Sequence, residues 1–113
     1  MVRPLCLLVL LTTGCGWVPE DEQAIRTFFA QSSLYDRTQL AEVAQVVFDP
    51  RVEGVVDRFD VVSREDTTDG DGRRRRVAQL DAVVRSNGRR SHRTIVVTLE
   101  QAATGHWKIT AYR

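Results

Sequence analysis

From residue 20 to about residue 50 the apolar positions recur with helical spacing. Ile25, Phe28 and Phe29 fall at i, i+3 and i+4 and predict a helix over about residues 20–32. Glu20, Asp21 and Glu22 open it, where acids favour the positive end of the helix dipole. Ser32 to Arg37 reads as a break. Asp36 followed by Gln39 has the form of a capping box that opens a second helix, with Leu40, Val43, Ala44 and Val47 as its apolar stripe. Asp49-Pro50 ends that stripe, because the proline ring disfavours helical geometry in the residue before it. From residue 55 onward the period changes to two. Val55, Phe59 and Val61 share one face, with Arg58 and Asp60 between them. Asp66 to Gly72 is turn chemistry. Ala78, Leu80, Ala82 and Val84 form the next inward set, and Asn87-Gly88 is a two-residue hairpin signal. Ile95, Val97 and Leu99 follow, then a turn at Ala103-Thr104-Gly105, then Trp107, Ile109 and Ala111.

Two helices followed by four strands give an α+β class. A sheet with one apolar face must be covered, and the helices are the available cover. The expected architecture is two N-terminal helices packed on a curved four-stranded antiparallel meander over residues 20–113. Phe28, Phe29, Val43, Val47, Phe59, Leu80, Val97, Leu99, Trp107 and Ile109 form the expected core. The opposite parity assigns Val56, Arg58, Asp60, Val62, Val77, Gln79, Asp81, Val83 and Arg85 to the outward face. It adds His92, Thr94, Val96, Thr98, His106, Lys108, Thr110 and Tyr112 from the later strands. This mixture of Val and Thr with isolated charges suits contact with an envelope protein or a second copy of the chain.

The first residues follow a different pattern. Arg3 is basic, Leu5 to Leu11 is an unbroken apolar run, Thr12, Thr13 and Gly14 are small, and Cys15 follows. That is the order of a secretory signal. The run falls short of the roughly 20 apolar residues that a membrane span needs. Leu11-Thr12-Thr13-Gly14-Cys15 resembles the bacterial lipobox, with Thr12 standing where Leu is usual. The resemblance implies a signal peptide over residues 1–14, cleavage before Cys15, and a palmitate-type lipid on that cysteine, with residues 15–19 as a lipidated tether. Cys6 lies inside the signal, so the processed chain keeps one cysteine and no internal disulfide. Gly16 is not the Asp associated with inner-membrane retention. The expected location is the cell envelope, at the periplasmic side of the outer membrane in a diderm source.

Without Arg3 the chain holds 15 basic and 15 acidic side chains, but they are segregated. Residues 15–72 carry 13 acidic and 5 basic side chains, whereas residues 73–113 carry 2 and 10. Such asymmetry raises the question of an anionic partner. Arg73, Arg74, Arg75 and Arg76 form one group and Arg89, Arg90 and Arg93 another, at opposite ends of one strand pair. Each is a candidate contact for an anionic envelope polymer or lipid head groups. Export and the lack of aromatic residues among the arginines argue against nucleic acid.

The amphipathic helix with Phe28-Phe29, the helical break, the meander and the closing Gly105-His106-Trp107-Lys108-Ile109-Thr110 together resemble the nuclear transport factor 2-like superfamily. That resemblance implies a cystatin-like α+β roll with a cone-shaped interior. The family commonly has a third helix and a longer sheet. Its enzymes, such as ketosteroid isomerases and polyketide cyclases, place Asp, His or Tyr inside the cone. Asp57 shares parity with the inward set, and Tyr35 lies in the helical break, so both are candidate pocket residues. His92, His106 and Tyr112 fall on outward parity. The histidines match no short metal-ligand spacing, and Asp66 to Gly72 fails the calcium-loop pattern in either register. No cofactor or metal is expected, and no catalytic residue is assigned. The leading expectation is a non-enzymatic, lipid-anchored binding module. The alternative is a small-ligand carrier or enzyme using the cone interior.

Overall fold

The computed structural model describes residues 18–113. The expected signal peptide, Cys6, Cys15 and most of the tether lie outside the described residues. The described chain is α+β: α1 (Glu20–Leu34), α2 (Arg37–Val43), a single turn α3 (Pro50–Glu53), then β1 (Val55–Thr68), β2 (Arg74–Ser86), β3 (Arg89–Gln101) and β4 (Trp107–Tyr112). The strands form one antiparallel meander in the order β1-β2-β3-β4. The helical layer packs on one face of this sheet, with α1 against β1 and β4 and α2 against β4.

The α1 stripe is Ala24, Ile25, Phe28, Phe29 and Ser32, all buried. Asp36 opens α2 by accepting the Gln39 amide at 3.1 Å. The amide of Asp36 itself is donated to the Gln31 carbonyl, so only one half of the expected capping box forms. The second helix is shorter than the stripe predicted. Ala44 leaves helical geometry at φ −153° and ψ 152° and makes a parallel bridge to Ile109, with the Gln45 amide donating to the Ile109 carbonyl at 2.8 Å. This pairing covers part of the free edge of β4, where open backbone groups would invite another chain. Once the helix stops, the residue order that faces the core changes. Val47, expected in the core, is 46% exposed, and Phe48 takes its place at 2%. The buried Ser32 hydroxyl accepts the Phe48 amide at 3.1 Å and ties this segment to α1.

Asp49 has the extended backbone expected before proline, and its side chain accepts the Arg51 amide to cap α3. Gly54 then turns the chain into β1 at φ 90°, a left-handed value, and a Cβ there would lie 2.8 Å from both the Arg85 carbonyl and Val84 Cγ1. Asn87 and Gly88, at φ 54° and 77°, make the two-residue turn between β2 and β3.

The parity of β2 and of most of β3 is as expected, with Ala78, Leu80, Ala82, Ile95, Val97 and Leu99 fully buried. β1 and β4 differ because bulges reset which side a residue faces. A register shift between Val56 and Arg58 puts Val56 opposite inward Val84, so Val56 packs on the core rather than outward. Val55, expected inward, pairs with outward Arg85. A second shift, between Val61 and Ser63, turns Arg64 and Asp66 inward opposite Ala78 and Arg76. The β3–β4 ladder shifts between Thr98 and Leu99, so Thr110 is skipped, Ala111 faces outward, and Tyr112 packs against the core. Phe28, Phe29 and Phe48 interlock, with Phe29 reaching Phe59 and Phe48 reaching Tyr112 at centroid separations of 5.1–6.4 Å. Val43 and Phe59 are half-buried at the margin of this cluster.

Phe48→Ala should lower unfolding free energy by ~3–5 kcal/mol. Val47→Ala should stay within ~0.5 kcal/mol of the parent. Urea unfolding of both variants checks that the core residue is Phe48.

Candidate functional site

Asp57 does not enter the interior. It sits at the first β1 bulge and accepts from Arg90 Nε at 2.9 Å and lies 3.4 Å from an Arg85 guanidinium nitrogen. Both arginines belong to the outward face, so the bulge has carried Asp57 away from the parity it was assigned. It borders a surface groove of about 340 Å³ with Phe29 and Phe59, and its carboxylate is committed to two guanidinium groups. Tyr35 caps α1 and borders a different groove, with Leu40, Val47 and Arg51. The two expected pocket residues therefore do not share a site. Tyr112, expected outward, donates its hydroxyl to Glu53 at 2.8 Å, and burial followed by that hydrogen bond pushes the phenol up to about 12.

The arginine groups are largely neutralised within the molecule. Arg73 lies 3.8 Å from Asp71, Arg74 3.1 Å from Asp66, and Arg75 3.4 Å from Asp69 and 3.6 Å from Glu100. Arg76 holds Asp66 at 2.6 Å and Asp21 at 3.1 Å. At the other end Arg90 holds Asp57, and Arg93 holds Glu53 at 3.0 Å. Arg89 has no carboxylate within ion-pair distance among the described residues. Hairpin carboxylates that sequence spacing compared with a calcium loop are instead held by the arginines that follow them.

The feature that sequence reasoning missed is an ion network built around one buried carboxylate on the helix-covered side of the sheet. Asp21, in the first turn of α1, is 1% exposed. Arg64 Nε from β1 donates to it at 2.7 Å, and Arg76 from β2 reaches it at 3.1 Å. Burial would raise the Asp21 carboxyl, but hydrogen bonds from Arg64 and Arg76 outweigh it and hold the group below its ordinary range. Hydrogen bonding from Arg76 pulls Asp66 down to about 2, and Asp66 in turn raises Arg76. The Arg76 guanidinium lies 4.6 Å from the Trp107 ring centroid, so the indole forms one wall of the network. The only sequence signal was an acid within the first turn, which is ordinary helix-end chemistry. Arg76 shares the inward parity of Ala78 and Leu80 on β2, whereas Arg64 became an inward residue only through the second β1 bulge, which no spacing announces.

The corrected outward face carries half-buried Val77, Val83, Val96 and Thr98 across β2 and β3, with exposed Val62 from β1. One end of it holds Asp57, Arg85 and Arg90, and the other holds Arg75, Glu100 and Lys108. His92 belongs to this face and lies 3.4 Å from Asp81. His106 does not: it precedes β4 and meets Glu20 of α1 at 3.1 Å. Among the described residues no group of three or more histidine, cysteine or acidic side chains is placed to hold a metal, and no helix is long and apolar enough to cross a membrane. Comparison with protein-family models, with curated proteins and with solved structures finds no match for this chain.

Both depressed carboxyls stabilise the fold above their ordinary range, and that stability is lost as pH falls through their folded values. The urea midpoint should therefore fall as pH drops from about 4 towards about 2, the interval over which Asp66 gains its proton. Asp21→Asn should cost about 1.5–3 kcal/mol at neutral pH, as expected for hydrogen bonds to a charged group, and should flatten this acid limb.

Proposed function

We propose that the chain is the precursor of a lipid-anchored cell-envelope protein whose folded domain is a non-enzymatic interaction module. The observation that carries the reading is the order Arg3, Leu5 to Leu11, Gly14, Cys15, placed five residues before the first helix of the domain. A small residue before a cysteine at the end of a short apolar run is the chemistry of signal cleavage and thioether lipidation. A lipid on Cys15 would leave Gly16 to Pro19 as the tether between membrane and α1. The family reading, a nuclear transport factor 2-like roll, is supported only by the order of helices before a meander and their packing on one of its faces. The interior is filled by Ile25, Phe28, Leu80, Ile95, Leu99 and Ile109, each without exposed surface, which favours a contact surface over a ligand chamber. The internal pairing of most arginines similarly favours a protein partner, or a second copy, over an anionic polymer.

Contact would be made through the outward face around Val77, Val83 and Val96. Strand propensity alone accounts for valine there, so the surface needs its own test. Sedimentation of the domain lacking residues 1–15 should reveal self-association that Val83→Lys with Val96→Lys abolishes while the domain stays folded. A monomer at high micromolar concentration would refute the homodimer.

Anchoring is tested by the intact mass of protein extracted from membranes. The expected species starts at Cys15 and carries acyl mass, and Cys15→Ser should yield an unprocessed or unacylated chain. An N-terminus without acyl mass in the parent protein contradicts the reading.

A further inference from the structure

Five large apolar side chains among the described residues lie substantially in solvent, and two of them, Tyr35 and Val47, meet in one groove of the helical layer. Leu34 and Tyr35 end α1, Val47 follows α2, and Val52 lies in α3. Tyr35, Leu40 and Val47 line a groove of about 210 Å³ there, bordered by Arg37, Asp49 and Arg51. Its volume is below the ~300–1,000 Å³ of typical small-molecule sites and suits a single large side chain.

Tyr35 is unusual in its backbone. It terminates α1 at φ 57°, the left-handed region in which a bulky side chain is disfavoured and glycine is the ordinary choice. Core packing does not offset that cost, because half of Tyr35 is exposed. Instead the ring forms the groove wall. The Arg51 guanidinium lies 5.5 Å from its centroid, and its hydroxyl donates to Asp49 at 3.5 Å. Asp49 is also 3.6 Å from Arg51 Nε and accepts the Arg51 amide, so this carboxylate offsets part of the Arg51 charge and leaves the rim one positive charge in excess, carried by Arg37. Arg37 has no carboxylate within ion-pair distance among the described residues. The rim therefore carries two guanidinium groups against one acid, around an apolar floor.

We propose that this corner is a docking site for a free peptide C-terminus ending in an apolar residue, with the side chain in the Tyr35–Leu40–Val47 groove and the carboxylate on Arg37 and Arg51. A C-terminal residue is the peptide unit that presents an apolar group and a carboxylate from the same α-carbon. Guanidinium groups suit a carboxylate because their paired N–H donors match its two oxygens. The site lies at the end of α1 away from Glu20. A helix of 15 residues separates it by ~20 Å from Glu20, where that helix begins. It is separate from the outward sheet face and does not require Cys15 to be lipidated.

The test is fluorescence anisotropy with the full-length chain in phosphatidylcholine nanodiscs. The probe is an N-terminally labelled pentapeptide ending in Leu with a free carboxylate, and the control is the same peptide as its C-terminal amide. Saturable binding of the acid, with the amide about tenfold weaker or more, is expected from loss of one charge-assisted pair. Arg37→Ala and Arg51→Ala should each weaken binding of the acid and narrow its advantage over the amide. Tyr35→Gly should abolish binding while leaving the melting temperature unchanged or raised, because glycine adopts this backbone freely. A structural role for Tyr35 would instead lower the melting temperature, which would overturn the proposal. Equal binding of acid and amide would overturn it too, as would failure of the peptide to bind while the folded chain binds phosphatidylglycerol nanodiscs through the same arginines.

Discussion

A buried carboxylate ties the start of the helical layer to the sheet beside the apolar core. Asp21 stands in the first turn of α1, and its partners Arg64 and Arg76 come from β1 and β2. Removing one member of such a set is costly because it leaves the others desolvated without a counter-charge. Location gives the network its structural consequence. It fixes the start of α1 over the far end of the β1–β2 hairpin, and one helical face then delivers Ile25, Phe28 and Phe29 to the sheet in register. It also lays Arg76 across Trp107, which extends the covered area beyond the aliphatic core. The second β1 bulge is part of the same device, because it turns Arg64 and Asp66 towards the helix.

The segregation of charge along the chain acquires a physical meaning from these contacts. Acids from the first half meet arginines from the second: Asp21, Asp57, Asp66 and Glu53 pair with Arg76, Arg90, Arg74 and Arg93. The asymmetry acts within the molecule as complementarity between segments. Many of these pairs are partly exposed and individually weak. Asp21, Asp66, Arg64 and Arg76 form a connected set with one member fully enclosed, and that set distinguishes the network from scattered surface pairs. The groove beside Tyr35 lies at the other end of α1, where Arg37 has no carboxylate partner among the described residues.

Much of the architecture was legible in the residues. Period-2 alternation located the strands, Asn87-Gly88 located a turn that needs two left-handed residues, and Phe28-Phe29 identified the buried face of α1. What spacing could not supply were the breaks in period. The stop of α2 at Val43 depends on Ala44 pairing with Ile109, 65 positions away in the chain, and so exchanges Val47 for Phe48. The bulges at Asp57, Val62 and Thr110 each move a residue across the sheet without a glycine or proline to mark it. They account for the misplacement of Asp57, Val56, Ala111 and Tyr112. The lipobox-like order ending at Cys15 was legible as a pattern in the sequence, whereas the Tyr35 groove required three dimensions, since Arg37, Val47 and Arg51 come together only when α2 and α3 are folded.

A double-mutant cycle between Asp21 and Arg64 tests the layer-holding role directly. Unfolding free energies of the parent, Asp21→Asn, Arg64→Gln and the double variant give the coupling between the two sites. The account predicts a coupling of about 1–3 kcal/mol, as found for contacting members of one network. Additivity within about 0.5 kcal/mol would contradict it, and would mean that the helical layer is held by apolar packing alone.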